Sequence, residues 1–402
     1  LLKNINGSSG TSNPERFTRI DDTVFFSART ASLSQELWKT DGTESGTQLV
    51  KDINPGRASA PRFLTVYNGE IYFAADDGTH GRELWKSDGT RDGTHLVKDI
   101  SDGYYSSGPE YITVYDDMLY FRAETRSYGI ELWRTDGTRA GTERVTDINS
   151  GSADAWPTRL TGFNGYLFFV AEDGSTGREL WFTDGSTTVQ VKDIYEGGSE
   201  SVPREFTVVG NTLYFTATEG RNGVELWKTS GSTSDTEMVK DINGSGLSAP
   251  RSLTPFNGEL YFSANDGSGR ELWKSDGSPG GTTLVKDING SGGSKPEELT
   301  VGDGVLYFTA DDGSKTGREP WKSDGTTDGT TLIKDINLKG TSHPTQLVTL
   351  DGELYFRAVD GKTGGELWKS DGTKDGTTLV KDINTSGYST PSELTPLESF
   401  LR

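Results

Sequence analysis

Histidine is the first residue type to examine for acid–base or metal chemistry, and the chain contains three: His80, His95 and His343. No two of them have the H-x-x-x-H spacing by which paired histidines bind zinc. The sequence has no cysteine, which excludes thiol nucleophiles, disulfides and cysteine-ligated metals. This content argues against Ser–His–Asp catalysis and against zinc-dependent hydrolysis.

Paired carboxylates could supply oxygen ligands to calcium. Two pairs, Asp76–Asp77 and Asp311–Asp312, each precede a glycine. They lack the D-x-D-x-D-G spacing of a calcium-binding loop, and an aspartate before glycine commonly accepts backbone N–H bonds within a turn. We interpret these carboxylates as turn residues and predict no cofactor, with calcium as an alternative that no ligand motif supports.

One glutamate and one tryptophan recur together in the string E-L-W, once written E-P-W. A catalytic acid is needed once, whereas this pair occurs eight times, so we interpret both residues as structural. We expect the tryptophans to pack between or within repeated units. They are Trp38, Trp85, Trp133, Trp181, Trp227, Trp273, Trp321 and Trp368.

Five aromatic residues lie outside the repeated positions, in variable loops rich in glycine and serine that each contain one proline. They are Trp156, Tyr104, Tyr105, Tyr195 and Tyr388. Loops on a regular scaffold are where specificity is usually carried, and flat aromatic faces suit stacking on a sugar ring. We predict that these residues bind a ligand and share one face, because each follows the same strand of its unit. Alternatively, the rings cover strand edges or lie buried under the loops.

Charge restricts the partners. The sequence has 40 Lys+Arg and 60 Asp+Glu, a net charge of −20, which repels phosphate backbones and anionic lipid headgroups. No apolar run approaches the roughly 18 residues of a membrane span. We therefore expect neither nucleic acid nor membrane insertion, whereas a glycan, a protein partner or self-assembly is compatible with this charge.

The start of the chain and its composition suggest a location. The sequence opens at Leu1 without a methionine or a signal segment, which we interpret as a processed or excised form of a longer precursor. Acidity, two methionines and the lack of cysteine suit an exposed environment. We expect an extracellular or cell-surface protein.

The elements that must position these residues follow from the repeat, whose tryptophans are 46–48 residues apart. Each unit contains four short segments in which apolar and polar residues alternate with a period of two, as Leu260, Phe262 and Ala264 do with Tyr261 and Ser263. This period predicts strands, and no window has the 3.6-residue period of a helix.

Turn residues separate these segments. Asn-Gly at Asn68–Gly69 and Asn257–Gly258 predicts a tight hairpin between the first two strands of a unit. Asp-Gly at Asp88–Gly89, and equally at Asp276–Gly277 and Asp371–Gly372, predicts the next hairpin, with glycine at positive φ. The fifth unit has Ser230–Gly231 instead, and we expect the turn to persist there because the glycine does.

Eight units of four strands predict an all-β fold, an eight-bladed β-propeller with four antiparallel strands per blade. We predict a single domain over residues 1–402, with partial units at both ends. Leu1–Asn6 repeats the V-K-D-I-N strand, and Glu393–Arg402 begins a ninth unit. Either one piece closes the ring by completing a blade, or the C-terminal piece belongs to a longer chain.

The repeated E-L-W-K-S-D-G-T strings resemble the bacterial ELWxxDGT repeat proteins, a family of exported chains, and the likeness covers nearly the whole sequence. A second, partial resemblance is to the tryptophan-docking motif of eight-bladed quinoprotein dehydrogenases, A-x-D-x-x-T-G-x-x-x-W. Its residues are matched at Ala171, Asp173, Thr176, Gly177 and Trp181, and at Ala358, Asp360, Thr363, Gly364 and Trp368.

The second resemblance implies eight blades rather than an activity. His80 replaces the threonine of the motif between Ala75 and Trp85, and the stretch from Ala310 to Trp321 has one residue too many. A quinoprotein enzyme would also carry vicinal cysteines, greater length and a calcium–aspartate site.

Three functions are compatible with this sequence. The first is a non-enzymatic interaction module of a secreted or surface-displayed protein that binds a glycan or another protein. The second is a structural subunit of a surface layer or filament. The third is a glycoside hydrolase or lyase with an active site in the central funnel, which would require an asymmetric cluster of titratable groups there.

Overall fold

The computed structural model describes residues 2–7, 10–30, 32, 34–244, 246–314, 316–385, 387, 389, 391–392 and 394. Within these ranges the chain forms 32 β-strands and no helix, so no helical segment there is long and apolar enough to cross a membrane. Tyr388 and nearly all of Glu393–Arg402 lie outside the described residues.

The strands form eight sheets, each with four antiparallel strands in chain order. This confirms the predicted class, all-β and an eight-bladed β-propeller with four antiparallel strands per blade. The chain divides into two compact units, one ending at Glu200 and the other beginning at Ser201. Each unit contains four blades. That residues 1–402 form a single domain stays a prediction.

The first unit contains blades 1–4, with four consecutive strands in each. Its strands are β1 (Glu15–Ile20), β2 (Thr23–Ala28), β3 (Glu36–Thr40), β4 (Gln48–Lys51), β5 (Arg62–Tyr67), β6 (Glu70–Asp76), β7 (Arg82–Ser87), β8 (His95–Lys98), β9 (Glu110–Tyr115), β10 (Met118–Thr125), β11 (Gly129–Thr135), β12 (Glu143–Arg144), β13 (Thr158–Phe163), β14 (Tyr166–Glu172), β15 (Arg178–Thr183) and β16 (Thr188–Lys192).

The second unit contains blades 5–8. Its strands are β17 (Arg204–Val209), β18 (Thr212–Thr218), β19 (Val224–Thr229), β20 (Glu237–Lys240), β21 (Arg251–Phe256), β22 (Glu259–Asn265), β23 (Arg270–Ser275), β24 (Thr283–Lys286), β25 (Glu297–Gly302), β26 (Val305–Asp311), β27 (Arg318–Ser323), β28 (Thr331–Leu332), β29 (Thr345–Leu350), β30 (Glu353–Val359), β31 (Gly365–Ser370) and β32 (Thr378–Lys381).

The hairpins follow the predicted turn chemistry. Asn68 and Gly69 both have positive φ, 49° and 75°, between β5 and β6, which is the backbone that a two-residue turn of type I′ requires. Gly89 has φ 87° in the next hairpin, where Asp88 Oδ1 accepts a bond from the Thr90 N–H at 2.7 Å. Gly231 has φ 120°, and the turn between β19 and β20 is retained despite the missing aspartate.

Each first strand contains a β-bulge that the sequence did not predict. In blade 6, for example, Arg251 pairs with Ser263 and Thr254 with Tyr261, so that the register shifts between them. The bulge residue, Ser252, has φ 55°. The same position has positive φ in every blade, and its side chain varies. The residues are Arg16, Phe63, Tyr111 and Arg159 in the first unit, and Glu205, Ser252, Glu298 and Gln346 in the second.

The hydrophobic core lies between successive sheets. One cluster joins Tyr214 and Leu226 of blade 5 to Phe262 and Trp273 of blade 6, and other clusters likewise join neighbouring blades through aromatic and aliphatic side chains. Burying both faces of a sheet in this way requires a neighbour on each side. Seven of the eight recurrent tryptophans are buried, and Trp181 is half-buried.

A lysine at the end of the fourth strand also joins successive blades. Lys51 Nζ donates to the carbonyl of Thr94 in the next blade at 2.5 Å. In blade 1 the corresponding carbonyl, that of Thr47, is bonded by Lys3 Nζ at 2.7 Å. Lys3 therefore makes the contact expected of the V-K-D-I-N strand that its segment repeats.

Replacing Trp273 with alanine should lower the free energy of unfolding by about 3–5 kcal/mol, because a buried aromatic side chain would leave a cavity between blades 5 and 6. Denaturant titration of the full chain would measure this loss. Leu284→Ala, at a side chain of the same blade that is 38% exposed, is the control and should change stability far less. An unchanged stability of the Trp273 variant would contradict the packing role.

Candidate functional site

The recurring glutamates lie within the first three residues of the third strands, and the loop that leaves the blade encloses their carboxylates. Glu83 is fully buried. Its Oε2 accepts a bond from the Ile100 N–H at 3.1 Å and another from Ser107 Oγ, and its Oε1 accepts one from the Ser107 N–H at 2.8 Å. Glu36 has the same partners in blade 1.

Six of the eight recurring glutamates have raised pKa values. In Glu366 burial acts to raise the pKa, but the hydrogen bonds from Ser389 and Ile383 lower it below its ordinary value. Burial raises the pKa of Glu83 to about 7, although the hydrogen bonds from Ser107 and Ile100 act in the opposite direction. Burial likewise raises the pKa of Glu131 and of Glu319 to about 7 and that of Glu36 to about 6. A pKa near 7 would suit a general acid, but these carboxylates are enclosed by their own loops and cannot reach a substrate.

The paired aspartates in the loops between second and third strands act as turn caps. Asp77 Oδ1 accepts bonds from the backbone N–H groups of Thr79 and His80 at 2.8 and 2.9 Å, and Asp312 Oδ1 accepts one from Ser314 at 2.9 Å. Within the described ranges, no group of three or more His, Asp or Glu side chains is arranged to hold a metal ion.

His80 and His95 line one pocket of about 460 Å³ in the first unit, although their spacing in the sequence did not indicate it. His80 Nδ1 lies 2.8 Å from Asp77 Oδ2, and this hydrogen bond raises the pKa of His80. The hydroxyl that lines the pocket, Thr138 Oγ1, donates to Asp136. The imidazole of His80 is therefore oriented by Asp77. The Thr138 hydroxyl is already bonded to Asp136 within its own turn.

Trp156 belongs to a cluster at the entrance to blade 4, which we call the aromatic–arginine cluster and define as Phe63, Tyr111, Arg122 and Trp156. The Arg122 guanidinium lies 4.8 Å from the ring centre of Tyr111 and 5.3 Å from that of Trp156. The rings of Phe63 and Tyr111 are 6.2 Å apart. Trp156 is half-buried, and Tyr111 is 40% exposed, so the cluster presents aromatic surface to solvent.

Arg122 reaches this cluster because blade 3 has its arginine in the second strand, whereas other blades have one at the start of the third strand. In blade 7 the arginine begins the third strand: Arg318 Nη1 donates to Thr309 Oγ1 at 2.9 Å and forms an ion pair with Glu297 at 3.4 Å. In blade 3 the place of Arg318 is taken by Ile130, and Arg122 stands in the second strand at the position of Thr309. Arg122 forms an ion pair with Glu110, which corresponds to Glu297.

The other predicted aromatic residues have different surroundings. Tyr104 is 82% exposed and Tyr105 is 51% exposed, and the Arg126 guanidinium lies 3.1 Å from the ring centre of Tyr105. Tyr195 is half-buried. No ring contact joins any two of the four described residues of the predicted set.

Sequence reasoning missed Phe63, Tyr111 and Arg122. Phe63 and Tyr111 occupy the bulge position of their first strands, which looks like ordinary strand sequence. Arg122 could have been noticed, because the same place holds small or apolar residues, such as Ala74 and Val170, in every other second strand except that of blade 8, where it is Arg357.

The fold and this geometry define an all-β repeat protein with propeller blades. No protein-family model matches the chain, and no curated protein matches it. Among solved structures, it is similar to one from a structural and mechanistic analysis of two prolyl endopeptidases, at 13% identity and a TM-score of 0.48, over 89% of this chain and 56% of that one. It is also similar to a puromycin hydrolase, at 13% identity and a TM-score of 0.41, over 80% of this chain and 54% of that one.

The chain therefore spans about half the length of these solved structures. At this identity and these TM-scores, the similarities assign no activity to it.

The buried glutamates should make the protein more stable in mild acid. Because the folded-state pKa of Glu83 is about 7 and its ordinary value is 4.5, the folded chain binds more protons than the unfolded chain between these values. Stability therefore falls as pH rises through this window. The raised pKa of His80 acts in the same direction. We expect the free energy of unfolding to be larger at about pH 5 than at about pH 8.

Denaturant titrations across this range would test the expectation. Glu83→Gln removes one titrating group and should flatten the pH dependence, whereas Glu44→Gln, at an exposed position, should leave it unchanged. Stability that increases with pH across the window would contradict the role given to these glutamates.

Proposed function

We propose that the chain is a non-enzymatic interaction module, a member of the ELWxxDGT repeat family that acts outside the cell or on its surface. Its ligand is a neutral, hydroxyl-rich glycan, bound by aromatic residues of the proline-containing loops. The E-L-W repeats support the family, and the net charge of −20 favours an uncharged ligand at the aromatic surface over an anionic one.

The observation that carries this proposal is that two of the predicted loops contact the same hairpin of blade 3. The ring of Trp156 contacts the guanidinium of Arg122, a residue of β10. The ring of Tyr105 contacts the guanidinium of Arg126, a residue of the turn that joins β10 to β11. The aromatic loops that follow β8 and β12 therefore both contact arginines of one hairpin. This arrangement supports the prediction that the loops emerge on one face.

The chemistry of the aromatic–arginine cluster suits a sugar. A flat aromatic ring covers the apolar face of a pyranose. A guanidinium beside that aromatic ring can donate hydrogen bonds to the hydroxyl groups of the sugar. The Arg122 side chain is only 16% exposed and is held by Glu110, so its orientation is fixed before a ligand arrives. Such preorganisation reduces the entropy lost on binding.

Trp156→Ala should weaken glycan binding by about tenfold or more, because stacking on one aromatic ring contributes on the order of 1–3 kcal/mol, a magnitude taken from nucleobases. A glycan array would first select a neutral oligosaccharide, and calorimetric titration would compare the two proteins. Alanine is tolerated at this position, since Ala60 and Ala249 occupy it in other blades with φ of 45° and 40°.

The control is Tyr166→Ala, which removes a partly exposed ring from the opposite end of the strands in the same unit. We expect Tyr104→Ala to weaken binding and Tyr166→Ala to leave it unchanged, with both variants folded. Equal binding by the wild type and the Trp156 variant would refute the proposal and favour a role in assembly.

A further inference from the structure

The second unit has an open pocket at the position that the aromatic–arginine cluster fills in the first. The pocket has a volume of about 410 Å³ and lies between blades 6 and 7, lined by Arg251, Ser252, Ser263, Arg270 and Lys295 among others. This volume is within the range of small-molecule sites, about 300–1,000 Å³, and is sufficient for a ligand the size of a monosaccharide.

The register explains why this pocket is open. Ser263 pairs with Arg251 as Arg122 pairs with Glu110, so the serine stands where blade 3 of the first unit has the half-buried Arg122. Two further positions correspond in the same way. Ser252 occupies the bulge position of Tyr111, and Lys295 precedes a proline with φ 50°, as Trp156 does with φ 50°.

The open pocket is cationic. Arg251 and Lys295 are exposed, and neither side chain has a hydrogen bond or an ion pair with another described residue. Arg270 is half-buried, and its Nη1 donates to the carbonyl and hydroxyl oxygens of Ser263 at 2.9 and 3.2 Å. Burial, and then the positive charge of Arg251, lower the pKa of Arg270. The carboxylate of Glu297, which also lines the pocket, acts in the opposite direction on Arg270. Three basic side chains and one carboxylate therefore line the pocket, and the basic groups are in excess.

Two acidic groups lie near the basic side chains: Glu297 lines the pocket itself, and Glu205 contacts the pocket residue Ser252. Glu297 also forms an ion pair, at 3.4 Å, with Arg318 Nη1 of its own blade, blade 7. Glu205 Oε2 accepts a bond from the Ser252 N–H at 3.1 Å. Neither carboxylate forms an ion pair with Arg251 or Lys295. In a chain with a net charge of −20, a concave site with three basic side chains is a local reversal of sign.

We propose that this pocket binds an oxyanion, a carboxylate or a sulfate group, on a ligand of monosaccharide size. Arg270, fixed by Ser263, offers its remaining guanidinium N–H groups in a planar arrangement that suits an oxyanion. The exposed side chains of Arg251 and Lys295 add two further positive charges to the lining of the pocket. The site is independent of the proposed glycan surface, because its residues all lie in the second unit.

Calorimetric titration of the full chain with galacturonic acid, galactose and sodium sulfate would test the site and separate its sources of anion. We expect galacturonic acid to bind at least about tenfold more tightly than galactose, the factor that one charge-assisted hydrogen bond provides. Sulfate binding of equal strength would identify the free anion as sufficient, and tighter galacturonate binding would identify an acidic sugar. The affinity should decrease as salt is added.

Two variants of Lys295 connect binding to the pocket without disturbing the fold. Lys295→Ala introduces the residue that Ala249 supplies at the same position of blade 6, and it should weaken anion binding about tenfold. Lys295→Trp introduces the residue that Trp156 supplies in the first unit, and it should fill the pocket and abolish binding. Lys374→Ala, an equal change of charge at an exposed turn of the same unit, is the control and should bind as the wild type does.

The proposal would be overturned if the wild type bound no anion, or if Lys295→Trp bound galacturonic acid as tightly as the wild type. Trp156→Ala should leave anion binding unchanged. A failure of the glycan surface and a failure of this pocket therefore give different results.

Discussion

The rest of the structure depends on the hydrogen bonds that the buried glutamate near the start of each third strand accepts. Removing a carboxylate from water is costly unless hydrogen bonds replace the lost hydration. Glu83 receives three such bonds from Ile100 and Ser107, in the loop that leads to the next blade. Within each unit, a blade therefore fixes the path of the chain into the next one, and the residue before the proline of that loop keeps a constant backbone.

This constancy makes variation between blades meaningful. Two positions have positive φ in successive blades: the residue before the proline and the bulge residue three positions later. The side chains at these positions differ from blade to blade. Such a backbone is strained for residues other than glycine, so its retention shows that the surrounding hydrogen bonds determine it. One scaffold can then carry Trp156 and Tyr111 in one place and Lys295 and Ser252 in another, and the surface chemistry changes without a change of fold.

The sequence predicted the blades because their determinants are local. The spacing of the tryptophans, the alternation of apolar residues and the turns such as Asn68–Gly69 each act within a few residues. The bulges were not predicted, because Phe63 and Tyr111 are strand-forming residues whose positive φ is imposed by neighbouring strands. Trp156 was selected because it lies outside the repeated positions. Its contact with Arg122 depends on pairing between strands and could not be derived from loop composition.

Six of the eight blades have an arginine at one of two corresponding places, in the second strand or at the start of the third. Arg318 begins a third strand and reaches the threonine of the second, whereas Arg122 and Arg357 stand in the second strands of blades whose third strands have Ile130 and Gly365 in its place. No described blade has arginine at both places, as expected if two guanidinium groups would meet there. A Cβ at Gly365 would lie 3.0 Å from Arg357 Nε, so the relocated arginine occupies space that the usual residue would need. In blade 3 the flat guanidinium of Arg122 therefore lies 4.8 Å from the ring centre of the bulge residue, Tyr111, and 5.3 Å from that of Trp156, the residue before the proline.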